Sequence, residues 1–238
     1  MTKYIKKKFK IFNENFTFFL NNHIFEPNLT TKLLIESSSK VIKKNDKILD
    51  LGSGSGIIGC YFFKKKITEF IYASDISREA VKCTIYNSKK ITKNFDIRLS
   101  NALNNWKNEQ FDLIINDVSG ISSQINDITN WFKFAPNNSG IDGIKFTINI
   151  LKNFKDNKFN KTKLIFPVLG LSNRDKINNF LRKYKINYKI LAKADWPLPK
   201  SLTKHHDLLR KLKKKKIINF HEKFGILFTT TEIFYCKK

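Results

Sequence analysis

The stretch KILDLGSGSGIIGCYF, residues 47–62, restricts the possible folds more than any other part of the chain. A short apolar run ends at Leu51. Gly52-Ser53-Gly54-Ser55-Gly56 follows at once, and a second apolar run opens with Ile57-Ile58-Gly59. Glycine loses much conformational freedom on folding, so it is used where the backbone must turn tightly or let another group come close. Strand, glycine-rich turn and helix, in that order, put the turn at the carboxyl edge of an α/β sheet, where ligands bind. A second element agrees. The run FIYASD reads as the next strand and ends on Asp75, roughly 20 residues beyond the glycines, where a carboxylate takes ribose hydroxyls. Asp75 also suits a helix N-cap, and the two roles are compatible.

Short apolar runs alternate with amphipathic stretches along the chain. Strands are expected at 47–51, 69–75, 95–100, 111–117, 163–168, 187–192 and 224–236, and helices near 29–43, 56–66, 77–91, 142–156, 174–185 and 202–214. Ser77, with Glu79 in the following turn, and Ser172-Asn173 read as helix starts. The alternation predicts an α/β fold with a Rossmann-like, doubly wound, mostly parallel sheet of seven strands. No internal repeat or Gly/Ser linker divides the chain. We expect an N-terminal extension over 1–28 and one domain over 29–238. Segments 118–141, 157–162 and 193–203 stand outside the alternation.

Two nucleoside ligands compete for the loop. A dinucleotide fingerprint fits Gly54, Gly56 and Gly59, but these glycines begin late after the strand. The other candidate carries an amino-acid tail and no phosphate. Asp50, inside the strand, would repel a pyrophosphate and suits an ammonium group.

On these residues the chain resembles the class I S-adenosylmethionine-dependent methyltransferases. ILDLGSGSGIIG is similar to their motif I, and IYASDIS to motif II, with Asp75 as the ribose ligand and Ile76 beside it. SNAL (100–103) is similar to the adenine-contacting segment, with Asn101 where the family often has Asp, followed by Ala102. FDLIINDVS (111–119) is similar to motif IV at the methyl-transfer edge. The resemblance implies a C-terminal antiparallel hairpin, S-adenosyl-L-methionine as cofactor, and contacts from Asp50, Gly52, Ser53, Gly54, Gly56, Asp75, Ile76, Asn101, Ala102 and Asn116. The lead-in FEPNLTTKLLIESSSKVI resembles the small-domain group, in which Pro27 to Thr31 would cover the pocket. That group carries Asn-Pro-Pro-Tyr at motif IV. This chain reads Asn116-Asp117-Val118-Ser119, which keeps the asparagine and adds a carboxylate. Asn116 and Asp117 are therefore the catalytic candidates, Asp117 as a proton acceptor. The implied activity is methyl transfer to a nitrogen, less readily an oxygen, of a protein or RNA. A small-molecule acceptor is the second reading, and an inactive cofactor-binding, RNA-binding module the third.

Composition adds bounds. The formal net charge is +25, which suits an anionic partner such as RNA. It also matches an AT-rich coding bias toward Lys, Asn, Ile and Phe. Arginine, the usual specific phosphate ligand, occurs only at Arg78, Arg98, Arg174, Arg182 and Arg210. The densest basic run is RKLKKKK (210–216). Cys60, Cys83 and Cys236 have no metal spacing and read as reduced thiols. No metal site is expected, nor a membrane partner, since no run approaches the ~20 apolar residues of a membrane span. The N-terminus lacks a secretory h-region, so a cytoplasmic protein is expected. In the long segment after motif IV, Trp131, Phe132 and Phe134 are candidate lid contacts. Asp195-Trp196-Pro197-Leu198-Pro199 is a candidate pocket wall, and His205-His206 a weaker candidate.

Overall fold

The computed structural model describes residues 3–118, 120–129, 131–132, 138–156 and 159–238. The chain opens with an antiparallel hairpin, β1 (Ile5–Ile11) and β2 (Glu14–Leu20). Then follow α1 (Leu29–Ser38), β3 (Ile48–Leu51), α2 (Ile57–Lys64), β4 (Ile71–Asp75), α3 (Arg78–Lys89), β5 (Phe95–Leu99) and β6 (Leu113–Asn116). After them come α4 (Ser123–Thr129), α5 (Lys145–Phe154), β7 (Lys163–Leu169), α6 (Arg174–Lys183) and β8 (Asn187–Pro197). The chain ends with α7 (Lys200–Thr203), α8 (His206–Lys214), β9 (His221–Lys223) and β10 (Ile226–Lys237).

The main sheet has the order β5-β4-β3-β6-β7-β10-β8, the seven-strand path expected, and the short β9 pairs with β10 as an eighth strand. β3 to β7 are parallel, while β10 runs antiparallel between β7 and β8. The chain fills the sheet outward from β3 through β4 to β5, then returns to β6 on the other side. The switch point therefore lies between β3 and β6, where an open α/β sheet forms its ligand crevice.

Side chains alternate across the sheet, as the pleat requires. Ile48, Ile115 and Ile165 pack with Ile35, Phe62 and Cys83 on one face. Leu49, Ile114, Leu164 and Phe166 pack with Leu151, Phe154 and Leu181 on the other. Helix starts follow the sequence signals. The Ser77 hydroxyl accepts from the Ala80 amide at 3.3 Å, and Asn173 accepts from the Lys176 amide at 3.1 Å.

The structure departs from expectation in three places. Residues 5–20 are paired strands, and Ile11, Phe16, Phe18 and Leu20 join the same core as α2 and β3. Phe12, at φ 49°, sits in the turn where Asn or Gly is usual, so no turn signal marked the hairpin. β8 continues through Pro197, which puts Asp195 and Trp196 in ladder positions opposite Thr230 and Thr229. The helix expected over 202–214 is broken at Lys204-His205 into α7 and α8. Among the described residues no helix is long and apolar enough to cross a membrane.

Candidate active site

Parallel register brings the carboxyl ends of β3, β4, β5 and β6 to one edge. Leu51 lies beside Ser74 and beside Asn116, and Asp75 beside Leu99. The loop after β3 folds back over this edge. Both Gly52 and Ser53 amides donate to the Ser74 carbonyl, at 2.8 and 3.0 Å. The Asp117 amide donates to the Leu51 carbonyl at 3.1 Å, which ties motif IV to the same turn.

Glycine is required at Gly52 and Gly56. Both have φ +74°; a Cβ on Gly52 would fall 2.2 Å from Val118 Cγ2, and one on Gly56 2.7 Å from Thr84 Cγ2. Thr84 explains why the loop holds its shape. Its hydroxyl lies 2.9 Å from Ser53 Oγ and donates to the Gly54 carbonyl at 3.1 Å. One turn further along α3, Asn87 Nδ2 donates to the Ser55 carbonyl at 2.9 Å and the Phe19 carbonyl at 2.8 Å. The N-terminal hairpin and the loop are thus fastened to one helix face. Sequence reading missed Thr84 and Asn87. Their signal was there: Ala80, Thr84 and Asn87 repeat at helical spacing after the Ser77 cap, small and polar on a buried face.

A cavity opens over this edge, and Gly52, Ser53, Gly54, Asp75, Ile76, Asn101, Ala102 and Asp117 line it. Pro27 and Thr31 close it from the start of α1, and Phe146 and Asn149 from α5. The Asp75 carboxylate accepts from the Gly54 amide at 3.0 Å through one oxygen and from the Ser77 amide at 2.9 Å through the other. It therefore ties the glycine turn to the Ser77 cap of α3 while lining the cavity. Burial raises its pKa against the pull of these amide donors. Asn101 accepts from Asn149 Nδ2 at 3.4 Å, and Ala102 holds φ 50°.

Three of the cofactor-binding and catalytic candidates do not line the cavity. Asp50 is wholly buried, one oxygen accepting from the Gly59 amide at 3.0 Å and Oδ1 without a partner. Burial pushes its pKa up to about 7, aided by the fields of Asp117 and Asp75. Gly56 lies behind the loop against Thr84. Asn116 is buried, and its Oδ1 accepts from the Val118 amide at 2.9 Å, while Nδ2 has no partner. A proline at position 118 would have no N–H to give. The change to valine lets the motif close on its own asparagine.

Asp117 lines the cavity and accepts from the Thr31 hydroxyl at 2.8 Å. Burial pushes its pKa up to about 7, with the Thr31 bond opposing. Thr31 is itself held by the Asn28 capping box of α1. Removing that hydroxyl in Thr31→Val should raise the Asp117 midpoint by about one unit, the worth of one charge-assisted hydrogen bond. A carboxyl NMR titration against wild type reads this, and an unmoved midpoint contradicts it.

Phe132 lines the cavity and stacks on Phe25 with centroids 4.9 Å apart. Trp131 is 38% exposed and lines no part of it, and Phe134 lies outside the described residues. The Asp195–Pro199 wall is not at the cavity. Asp195 accepts from its ladder neighbour, the Thr230 hydroxyl, at 2.8 Å and from Lys223 Nζ at 3.0 Å. His205 and His206 begin α8, also away from the lining. The three cysteines are free and buried, and no group of metal-ligating side chains occurs among the described residues.

Comparison with known proteins agrees with this geometry. Residues 24–117 match the family model "Methyltransferase small domain". A release factor glutamine methyltransferase of Dictyoglomus turgidum is 38% identical over 74 residues, 30% of this chain and 26% of that protein. A ribosomal protein L11 methyltransferase of Thermosipho melanesiensis is 34% identical over 89 residues, 37% of this chain and 34% of that protein. Among solved structures, the E. cuniculi Mtq2-Trm112 complex, described as methylating a translation termination factor, superposes with TM-score 0.57 at 12% identity. That match covers 91% of this chain and 99% of the solved one. The family match is confined to residues 24–117, and the fold is that of class I S-adenosylmethionine-dependent methyltransferases. The chain spans between 24% and 35% of the length of the curated relatives it matches.

Proposed function

We propose that the chain binds S-adenosyl-L-methionine and transfers its methyl group to a nitrogen, less readily an oxygen, of a protein or RNA. The observation that carries this is the joining of the Gly52–Gly56 turn, the Asp75 carboxylate and the Asp117 carboxylate on one cavity wall. Asp75 would hold the ribose hydroxyls, with Ile76, Asn101 and Ala102 around the base. Two carboxyls on the wall, Asp75 and Asp117, and Asp50 behind it are buried with no basic side chain opposing them among the described residues. An ammonium group over the Gly52–Gly54 turn answers that need. When bound, the cofactor supplies a methyl group already activated on a cationic sulfur, so the protein's work is alignment and exclusion of water.

Asp117 takes the acceptor's proton. Its pKa near 7 suits a general base at neutral pH, a role worth about 10²–10⁴-fold, and its Oδ1 carries no hydrogen bond among the described residues. Asn116 is buried off the cavity lining with its oxygen turned to the Val118 amide, so it presents no acceptor to the substrate. Asp117→Asn should therefore keep cofactor affinity within about threefold and lower turnover by ~10²-fold or more. Unchanged turnover would remove the base from the account.

The relatives' names favour a macromolecular acceptor, since two act on a release factor and a ribosomal protein. The loss of both prolines and the aromatic residue of motif IV favours the small-molecule reading. Labelled S-adenosylmethionine, added with the protein to a lysate of its source lacking it, separates them. Label in the acid precipitate, released by protease or ribonuclease, supports a macromolecule. An unlabelled precipitate with S-adenosylhomocysteine accumulating points to a small acceptor.

Asp50 gives a prediction that needs no acceptor. Its folded pKa lies above the ordinary 3.8. Its contribution to stability is then complete below that value and lost as pH rises through about 7. Asp50→Asn keeps an acceptor for the Gly59 amide and removes the ionisation. Denaturant unfolding between pH 5 and 8 should show wild type losing roughly 2–3 kcal/mol more than the variant. Parallel losses contradict the assignment.

A further inference from the structure

A third apolar cluster stands above the carboxyl edge, apart from the two that cover the sheet faces. Ile121, Ile125, Leu202, Leu209, Leu212 and Phe220 form much of it. It reaches the cavity through Phe132, which packs on the cluster and also lines the cavity. α8 commits its apolar side, Leu209 and Leu212, to this core. Its outer side carries Arg210, Lys211 and Lys214, continued by Lys215 and Lys216, all exposed. None of these five meets a carboxylate among the described residues, and Asp207 is the one acidic residue in 200–216.

The turn that follows is odd in a different way. Lys223 pairs with Ile226, which leaves Phe224 and Gly225 as a two-residue loop with φ 52° and 74°. Both positions of such a turn need positive φ and normally hold Asn-Gly. A bulky side chain is strained there, yet Phe224 is 102% exposed, so none of the described residues covers its ring. Ile226 beside it is 50% exposed. Phe12 occupies a comparable turn but is 46% exposed, and its amide donates to Glu36 at 2.7 Å.

We propose that α8 and the β9–β10 turn are the docking surface for a looped RNA acceptor, phosphates on the 210–216 cations and an unpaired base stacked on Phe224. Lysine ammoniums are point charges that follow a phosphate backbone without reading sequence. The exposed aromatic ring that follows them in the chain, Phe224, supplies the stacking platform that single-stranded binding uses. A basic amphipathic helix can also lie on a membrane, but that needs its apolar face free, and here that face is buried. The proposal rests on the methyltransferase reading only in making this RNA the acceptor.

The test is fluorescence anisotropy of the full chain with a fluorescein-labelled RNA stem-loop across a salt series. Three variants are compared with wild type: Lys211→Gln/Lys214→Gln/Lys215→Gln, Phe224→Asn, and a control, Lys6→Gln/Lys8→Gln/Lys10→Gln, which removes equal charge from exposed β1 positions. The docking triple should weaken binding at least tenfold and lower the salt slope by about 2, with the control shifting it less than twofold. Phe224→Asn should weaken binding about fivefold or more and raise the melting temperature, since Asn suits the turn. S-adenosylhomocysteine affinity should not change in any of them. Equal losses in the two triples, or unchanged binding by Phe224→Asn, would overturn the proposal. Transferred label released by protease alone overturns it too and leaves the methyltransferase reading standing. Failure to bind S-adenosylhomocysteine, with stem-loop binding still lost in the docking variants, sinks that reading and keeps the surface.

Discussion

Gly52→Ala will cost at least a hundredfold in methyl transfer, with a lower melting temperature. Left-handed backbone costs an alanine about 1–2 kcal/mol. The new Cβ would also stand 2.2 Å from Val118 Cγ2 and 3.3 Å from the Val118 amide nitrogen. That second contact matters more for function. The Val118 amide is bonded to Asn116, and the Asp117 amide to Leu51, so the clash moves the carboxylate that faces the cavity. Displacement of about 1 Å in a site that works by alignment costs ~10²-fold. Val118→Ala in the same chain removes the worst contact and should restore part of the loss. No rescue, with the fold intact by circular dichroism, would mean that Gly52 serves some end other than this clearance.

Asp75→Ala will weaken S-adenosylhomocysteine binding by a hundredfold or more. A carboxylate taking two ribose hydroxyls makes two charge-assisted bonds, each worth about 1.5–3 kcal/mol. The same change frees the Gly54 and Ser77 amides, so the turn loses its anchor as the ligand loses its partner. Asp75→Asn separates these effects. It keeps one acceptor for the backbone and loses the charge, and should fall between alanine and wild type. Titration calorimetry with each variant reads the series. Wild-type affinity in Asp75→Asn would assign the residue to holding the Gly54 and Ser77 amides alone.

The site's skeleton was legible in the sequence because it depends on backbone freedom and strand spacing. Gly52, Gly54 and Asp75 fall at the edge where parallel register must put them, and Ser77 caps where a hydroxyl precedes a helical pattern. Less legible was what long-range contact decides. The helical repeat marks Thr84 as buried but not as the clamp of the glycine loop, and nothing local marks Thr31 as the partner of Asp117, which lies 86 residues away. The closure of Asn116 on the Val118 amide depends on one turn's geometry. Hairpin 5–20 was hidden because Lys7 breaks the apolar alternation of β1 and because a phenylalanine sits in the turn. The length of β8 was missed because Trp196-Pro197 reads as a strand end. Pairing with β10 and the Trp196 indole N–H donating to the Thr231 hydroxyl at 3.1 Å hold it extended.

The most direct measurement is titration calorimetry of the purified chain with S-adenosylhomocysteine and, separately, with NAD. The account predicts one site for S-adenosylhomocysteine, lost in Asp75→Ala, and much weaker binding of NAD, because Asp50 and the late glycines do not suit a pyrophosphate. NAD binding as tight or tighter, or no binding of S-adenosylhomocysteine, would contradict it.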